Sequence, residues 1–325
     1  MVVTQRIHRE VADLLSAQTN VLVNQSLESW SREELVERAR DADALMVFMP
    51  DSLDEDFLAG CPRLKIIAAA LKGFDNFDVE ACTRRGIWFS VVPDLLTEPT
   101  AELALALTLG LARNVLAGDH LIRSGRFGGW RPVLYGAGLH RATVGIAGYG
   151  RVGQALARLL KNFECRVLYS DANPRPDSEY AARASLDEML ERSRFVLPLL
   201  PLTPETFHLF GAETLARMNS GSYLINVSRG SVVDEDAVAD ALESGHLAGY
   251  AADTFEMEDW ARPDRPIRIS PALLRMRDRT LFTPHLGSAV DSVRCEIERE
   301  AASNILQALR GERPSDAINE ITPAL

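Results

Sequence analysis

Short runs of apolar residues recur along the chain and alternate with segments whose apolar residues fall at helical spacing. The segments SREELVERARDA (31–42) and DEDAVADALESG (234–245) have this helical spacing. Near-continuous apolar runs are typical of parallel strands that are buried on both faces by helices, so the pattern predicts an α/β fold. The predicted strands lie at 20–24, 44–49, 64–71, 87–92, 143–148, 165–170, 194–200, 222–228, 250–255 and 280–285.

The first four predicted strands and the last six form two series, which indicates two doubly wound domains. Two domains suit a chain of 325 residues. A long apolar helix is predicted over 99–118, and a final helix over 291–311 is expected to return to the first domain. We therefore predict a discontinuous first domain at 1–98, a Rossmann domain at 99–290 inserted in it, and a returning C-terminal segment at 291–325.

Charge and cysteine content narrow the class of protein. The formal net charge is −11, which argues against nucleic acid or an anionic membrane surface as the main partner. Any anion must then be bound by a few local lysines and arginines. The four cysteines are widely spaced, without CxxC or a metal-ligand spacing, so we predict reduced thiols and no metal site.

The expected location is the cytoplasm. The N-terminal segment has charges at Arg6, Arg9 and Glu10 and lacks the apolar core of a signal peptide. The apolar segment 103–112 is too short to span a bilayer.

The segment ATVGIAGYGRVGQALARLLKNF (142–163) places three spaced glycines, Gly148, Gly150 and Gly153, between a predicted strand and an amphipathic helix. Such glycines allow a tight turn, close approach of a pyrophosphate and helix–strand packing. Asp171 ends the next strand about 20 residues further on, where a carboxylate binds the adenosine ribose. This pattern predicts NAD binding and favours NAD over NADP, although the nearby Arg175 could soften that preference.

Polar residues follow three strands of the second series. They are Arg229 in LINVSRG, Asp253 and Glu258 in AADTFEMED, and His285 in LFTPHLGSA. Ligands of open parallel sheets bind beyond the carboxyl ends of the strands, so these side chains are candidates for a common site.

The segments GYGRVG, NVSRGSVVDEDAV, AADTFEMED and TPHLGS, in this order, resemble the NAD-dependent D-2-hydroxyacid dehydrogenase family. The resemblance implies a Rossmann NAD-binding domain inserted in a flavodoxin-like substrate domain, and a homodimer to which the 103–112 helix could contribute. By the same resemblance, Arg229 binds the substrate anion, His285 is the acid/base and Glu258 orients its imidazole. The residues that the resemblance places at NAD are Thr100, Gly148, Gly150, Arg151, Val152, Gly153, Asp171, Leu200, Pro201, Val227, Ser228 and Asp253.

A charged residue, Lys72, stands at the end of the apolar strand LKIIAAAL (64–71), where an unpaired charge would be costly. Lys72 follows this strand directly and precedes Gly73, whereas ordinary members of the family have a small residue there. The segments ALKGFDNFDV, FMPD, VPDLLTEPTAELA and GYAADTFEMEDWARPDRP resemble the phosphonate dehydrogenases, the members of the family that oxidise phosphite. Lys72, Gly73, Met49 and Arg229 are then expected to contact a small dianion. Further candidates for the wall of this site are Trp130, Tyr135, Trp260 and Ser288, although a tryptophan is more often a core residue.

One segment departs from that resemblance, and other functions stay open. The chain has NVSRG at 226–230 where the phosphite enzymes are expected to have Asn-Pro-Cys-Arg-Gly. One alternative is a dehydrogenase of small 2-hydroxy acids, or a reductase of 2-keto acids such as glyoxylate or hydroxypyruvate. Another is a non-enzymatic NAD-sensing protein like the C-terminal-binding corepressors. In an enzyme, Arg229 could share the role of base with His285.

Overall fold

Two parallel sheets form in the structure, a computed structural model that describes residues 1–173 and 178–321. The chain divides into two units. Unit 1 comprises Met1–Leu96, Trp260–Pro263 and Ala289–Leu325, and unit 2 comprises Thr97–Asp259 and Asp264–Ser288. The sequence boundaries were expected at 98 and 290, and the assignment of Trp260–Pro263 to unit 1 was not anticipated.

Unit 1 contains a five-stranded sheet whose strand order is β2-β1-β3-β4-β5, with every neighbouring pair parallel. This is the flavodoxin-like order, so the predicted fold class of this domain is confirmed. The strands are β1 (Val2–Val3), β2 (Leu22–Val23), β3 (Ala44–Val47), β4 (Ile66–Ala69) and β5 (Trp88–Ser90). The helices are α1 (Arg9–Ser16), α2 (Arg32–Ala39), α3 (Glu55–Ala59), α4 (Val79–Arg84) and the last helix of the chain, α12 (Asp291–Leu309). Apolar residues bury β3 and β4 completely, as their uninterrupted sequences predict.

Helix α12 packs on β3, β4 and α1 of unit 1. Its Glu298 side chain is buried, and one oxygen, Oε2, accepts hydrogen bonds at 2.8 Å from both the backbone N–H and the Nδ1 of His8. Asp291 lies 3.3 Å from the other ring nitrogen. The hydrogen bond to Glu298 is the main reason why the pKa of His8 is raised above its ordinary value.

We expect His8→Gln to lower the free energy of unfolding more at about pH 6 than at about pH 9. Because the folded-state pKa of His8 is raised, its stabilising effect is complete below the unfolded pKa and is lost as the pH rises through the folded pKa. The imidazole is partly exposed, so the difference should stay below about 1 kcal/mol. Urea unfolding at both pH values measures it, with the exposed His120→Gln as a control. Equal destabilisation at both values would contradict the prediction.

Unit 2 contains a seven-stranded parallel sheet of order β12-β11-β10-β9-β6-β7-β8. The order reverses between β6 and β9, which is the arrangement of a Rossmann domain and confirms the predicted fold class. The strands are β6 (Thr143–Ala147), β7 (Arg166–Ser170), β8 (Ala182–Arg183), β9 (Phe195–Pro198), β10 (Ser222–Asn226), β11 (Leu247–Ala252) and β12 (Thr280–Phe282).

The predicted single helix over 99–118 is two helices. The helices of unit 2 are α5 (Thr97–Ala112), α6 (Val115–Arg123), α7 (Arg151–Lys161), α8 (Leu186–Arg192), α9 (Ala212–Arg217), α10 (Glu235–Glu243) and α11 (Pro271–Arg275). Helix α5 ends because Asn114 adopts the left-handed conformation, with φ of 53°. Asn tolerates that conformation better than most residues, but the apolar pattern alone did not reveal the break.

Helix α5 packs against α7 and strands β10, β11 and β12 of unit 2, so most of the 103–112 segment serves the core of this domain. The proposed homodimer remains a prediction. Within the described ranges, no single helix is long and apolar enough to cross a membrane. Only the pair α5 and α6, bent by 60° relative to each other, passes the same test of length and composition.

Candidate active site

The turn between β6 and α7 has the geometry that the three glycines predict. Gly148 has φ of +94°, and a Cβ at this position would lie 2.4 Å from the carbonyl oxygen of Leu199. A Cβ at Gly153 would lie 2.6 Å from the carbonyl oxygen of Gly148. Gly150, by contrast, is exposed to open space and caps α7 without a side chain. Two glycines are therefore required by packing, and the third leaves the first N–H groups of the helix accessible to a phosphate.

Asp171 follows β7 and faces this turn. Its Oδ2 accepts a hydrogen bond from the backbone N–H of Tyr149 at 2.6 Å, and its Oδ1 accepts one from Asn173 at 2.8 Å. Each carboxylate oxygen can accept a further bond, which suits the hydroxyl groups of a ribose. These residues fit NAD. Arg175, which was considered as a modifier of the cofactor preference, lies outside the described residues.

The other residues assigned to the cofactor occupy the carboxyl ends of neighbouring strands of unit 2, apart from three on helices. Leu200 and Pro201 follow β9, Val227 and Ser228 follow β10, and Asp253 follows β11. Arg151 and Val152 begin α7, and Thr100 lies on α5. These positions agree with the rule that ligands bind beyond the carboxyl ends of parallel strands. Their contacts with NAD remain predictions.

His285 and Glu258 form a hydrogen-bonded pair. The Nδ1 of His285 lies 2.7 Å from Oε2 of Glu258, and both side chains are about a quarter exposed. The other carboxylate oxygen, Oε1, accepts the backbone N–H of Phe255 at 2.9 Å, which holds Glu258 in place. A carboxylate at Nδ1 fixes the imidazole and leaves Nε2 as the nitrogen that can exchange a proton with a substrate.

Asp253 shapes the loop that carries His285. This residue is buried, with 1% exposed, and its oxygens accept bonds from the Thr283 hydroxyl at 2.6 Å, the Leu286 N–H at 2.7 Å and the Gly287 N–H at 2.8 Å. His285 sits between these donors with φ of 57°, a conformation that non-glycine residues rarely adopt. The sequence indicated a cofactor contact for Asp253, but its role in the loop was missed. Oδ2 keeps room for one further donor.

Asn226 holds the turn that carries Arg229, residues 226–229, which we call the Arg229 turn. Its Nδ2 donates to the carbonyl oxygen of Arg229 at 2.9 Å, and its Oδ1 accepts from the backbone N–H of Ser228 at 3.0 Å. Asn226 is fully buried at the end of β10. Asn226 was not among the residues predicted from the sequence, although a polar residue at the end of an apolar strand is a signal that could have indicated it.

The loop that carries Lys72 belongs to unit 1 and follows β4. Lys72 comes directly after the buried Leu71. Lys72 and Gly73 are both half-buried. The loop is held by Asn76, whose Nδ2 donates to the carbonyl oxygen of Met49 at 2.8 Å. Arg294 of α12 donates to the carbonyl oxygen of Ala70 at 3.2 Å, close to the lysine in the chain. Neither Asn76 nor Arg294 was singled out from the sequence.

The three aromatic residues considered for the wall of the site are more exposed than core residues. Trp130 is 82% exposed, Tyr135 is 76% exposed and Trp260 is 39% exposed. Ser288 ends the second segment of unit 2. The interpretation of the two tryptophans as core residues is therefore wrong, and a role in substrate binding remains a prediction.

Comparison with known proteins identifies the family. Residues 105–287 match the model of the D-isomer specific 2-hydroxyacid dehydrogenase NAD-binding domain. The chain belongs to this family. It is 35% identical to a glyoxylate reductase of Thermococcus onnurineus, over 98% of this chain and 95% of that protein. Among solved structures, a protein of Thermus thermophilus has a TM-score of 0.91 and 34% identity, covering 98% of this chain and 99% of that one.

A further solved structure bears on the cofactor. The D-lactate dehydrogenase of Aquifex aeolicus, in complex with NAD and lactic acid, has a TM-score of 0.81 and 26% identity and covers 96% of each chain. The match to an NAD-binding domain and the geometry of the glycine turn both indicate that the cofactor is NAD. The protein is an NAD-dependent oxidoreductase of this family.

We expect Asp171→Ala to narrow the preference for NAD over NADP. The carboxylate is expected to lie where NADP would carry its 2′-phosphate, and its removal should abolish a repulsion between like charges. The ratio of kcat/KM values for the two cofactors, measured in the wild type and the variant, tests this. A wild-type protein that prefers NADP would show that the assigned place of Asp171 is wrong. Asp187→Ala, at an exposed position on α8, is a matched control.

Proposed function

We propose that the protein oxidises phosphite to phosphate with NAD. The observation that carries this proposal is Lys72, a half-buried cation in the loop after β4, where the sequence around it resembles phosphonate dehydrogenases. A compact dianion suits two cations, and the sequence resemblance assigns both Lys72 and Arg229 to the substrate anion. The backbone N–H of Gly73 could approach the same oxygens, because glycine has no side chain to hinder them.

The reaction consumes phosphite, NAD⁺ and water and yields phosphate, NADH and one proton. NAD⁺, when bound at the glycine turn, would supply the acceptor for the hydride of the P–H bond and its two electrons. A bond forms between the oxygen of water and phosphorus, and we propose that Nε2 of His285 takes the proton that water loses. Glu258 stabilises the resulting imidazolium, since it accepts the hydrogen bond of Nδ1. Arg229 and Lys72 position the dianion and stabilise its charge.

The second candidate is the reduction of glyoxylate or another small 2-keto acid. The names of relatives such as the Thermococcus onnurineus enzyme favour it, and they support it more directly than they support phosphite oxidation. The same residues could perform this reaction. His285 would give a proton to the substrate oxygen while Arg229 binds the carboxylate. Lys72 would then be a second ligand of that carboxylate or would not contact the substrate.

One assay separates the two candidates. The absorbance of NADH is followed with phosphite, D-lactate or D-glycerate in the presence of NAD, and with glyoxylate in the presence of NADH. Our proposal expects phosphite to have the highest kcat/KM. Efficient turnover of glyoxylate with no activity towards phosphite would replace the proposal by the second candidate. A protein that binds NAD and turns over none of these substrates would favour a sensing role.

A further inference from the structure

Two carboxylates with little exposure to solvent lie at the start of α10 and in the turn that carries Glu258. Glu235 is the first residue of α10 and is 3% exposed. Glu256 is the first residue of the 3-10 turn Glu256–Glu258. Neither residue was predicted from the sequence to have a role. Placing a buried and a partly buried carboxylate close together is costly, so their presence here calls for an explanation.

The two residues bind each other's backbone reciprocally. The N–H of Glu235 donates to Oε1 of Glu256 at 3.0 Å, and the N–H of Glu256 donates to Oε1 of Glu235 at 3.0 Å. We call this pair, Glu235 and Glu256, the carboxylate clasp. It joins the start of α10 to the start of the turn that ends at Glu258.

Each carboxylate of the clasp also accepts a second bond through its other oxygen. Oε2 of Glu235 accepts the N–H of Ser270 at 2.8 Å, and Oε2 of Glu256 lies 2.8 Å from Nε2 of His208. All four of these partners are nitrogen atoms that donate to the carboxylates. A carboxylate offers acceptors only, whereas a glutamine side chain would set its NH₂ group against one of these donors. The donors therefore explain why carboxylates stand here.

The surrounding charges are mostly acidic. Asp236 and Glu256 both act on Glu235, and burial, the main cause, raises the pKa of the Glu235 carboxyl group. Asp234 lies 3.8 Å from Nδ1 of His208. The imidazole of His208 thus lies between two carboxylates, those of Asp234 and Glu256.

The clasp lies beside the close contact of the two turns. A Cβ at Gly230, next to Arg229, would lie 1.9 Å from the backbone carbon of Phe255, so the backbones touch. The N–H of Ser231 donates to Asp259 at 2.6 Å across the same contact. Phe255 in turn holds Glu258 through its N–H. The Arg229 turn and the Glu258 turn therefore pack directly against each other.

We propose that the carboxylate clasp is a positioning element that sets Glu258, and through it His285, relative to Arg229. Neither carboxylate contacts the substrate in this proposal. It rests on the acid/base role proposed above for His285, but not on the identity of the substrate. Its consequence is that loss of a clasp bond loosens the Glu258 turn and slows the chemical step, while the distant glycine turn still binds the cofactor.

The test compares Glu235→Gln and Glu256→Gln with the control Asp236→Asn. Asp236 touches the hydroxyl of Ser270 but makes no hydrogen bond to Glu256 among the described residues. Hydrogen exchange, followed by mass spectrometry, should become at least about tenfold faster at 254–259 in both clasp variants. The kcat value with phosphite and NAD, or with glyoxylate and NADH, should fall about 10- to 100-fold. The Kd of NADH should stay within about twofold of the wild type.

The clasp proposal is overturned if exchange at 254–259 is unchanged, or if exchange accelerates while kcat stays at the wild-type value. A structural role alone would lower the melting temperature without this local and kinetic pattern. If Glu235→Gln does not fold, Glu256→Gln decides, because its side chain is less buried. If the wild type turns over neither substrate, the proposed function fails, and the exchange pattern still tests whether the clasp holds the Glu258 turn.

Discussion

His285→Asn is expected to lower kcat by about 10²- to 10⁴-fold while NAD still binds. In the proposed mechanism the imidazole acts in the chemical step, whereas the cofactor is expected to bind at the glycine turn between β6 and α7. Asparagine can still donate a hydrogen bond to Glu258 at the place of Nδ1, so the loop should keep its shape. It cannot take up a proton at neutral pH, so the acid/base step is lost.

Steady-state kinetics and titration with NADH measure the two parts of this prediction separately. His140→Asn, at an exposed position before β6, is the matched control and should leave both unchanged. Glu258→Gln should lie between the control and His285→Asn, because it keeps a hydrogen bond to the ring but removes the charge that stabilises the imidazolium. Near wild-type turnover in His285→Asn would refute the proposed mechanism and favour a non-enzymatic role.

Lys72→Ala is expected to lower kcat/KM for phosphite by about 30- to 1000-fold, which corresponds to roughly 2–4 kcal/mol. In the proposed site, the variant removes one charge-assisted bond from a dianion that Arg229 is also expected to bind. Much of the loss should appear as a raised KM, because the ground-state dianion interacts with the same charge. Lys72→Arg should recover only part of the activity, since a planar guanidinium on a longer stem cannot place its charge identically.

The control for this series is Lys65→Ala. Lys65 lies just before β4, at the opposite end of the strand from Lys72, and its exposed side chain pairs with Asp43 at 3.5 Å. Kinetics across phosphite concentrations, with a melting curve for each variant, distinguish a substrate contact from misfolding. If Lys72→Ala stays within about twofold of the wild type, Lys72 does not bind the substrate. The second candidate function would then gain support.

The fold class could be predicted because buried parallel strands have a distinctive composition. Apolar runs such as 44–49 and 143–148 are strands in the structure, and the helices between them force parallel connections. The strands β1 and β8 were missed: each has only two residues, and neither lies in one of the predicted apolar runs, whereas the equally short β2 lies within the run 20–24. The break at Asn114 was missed because one left-handed residue does not interrupt an apolar sequence.

The sequence by itself determined the chemical groups of the site and the strands that deliver them. Spaced glycines, Asp171 and His285 are recognisable because each chemistry requires a particular residue type near a strand end. Only the tertiary structure decided how these groups are held. Asp253 binds donors from 283–287, and Glu235 and Glu256 bind each other across 21 residues of chain. Such bonds join segments that are distant in sequence. The donors that a buried carboxylate binds are therefore known only from the folded structure, which brings them to its oxygens.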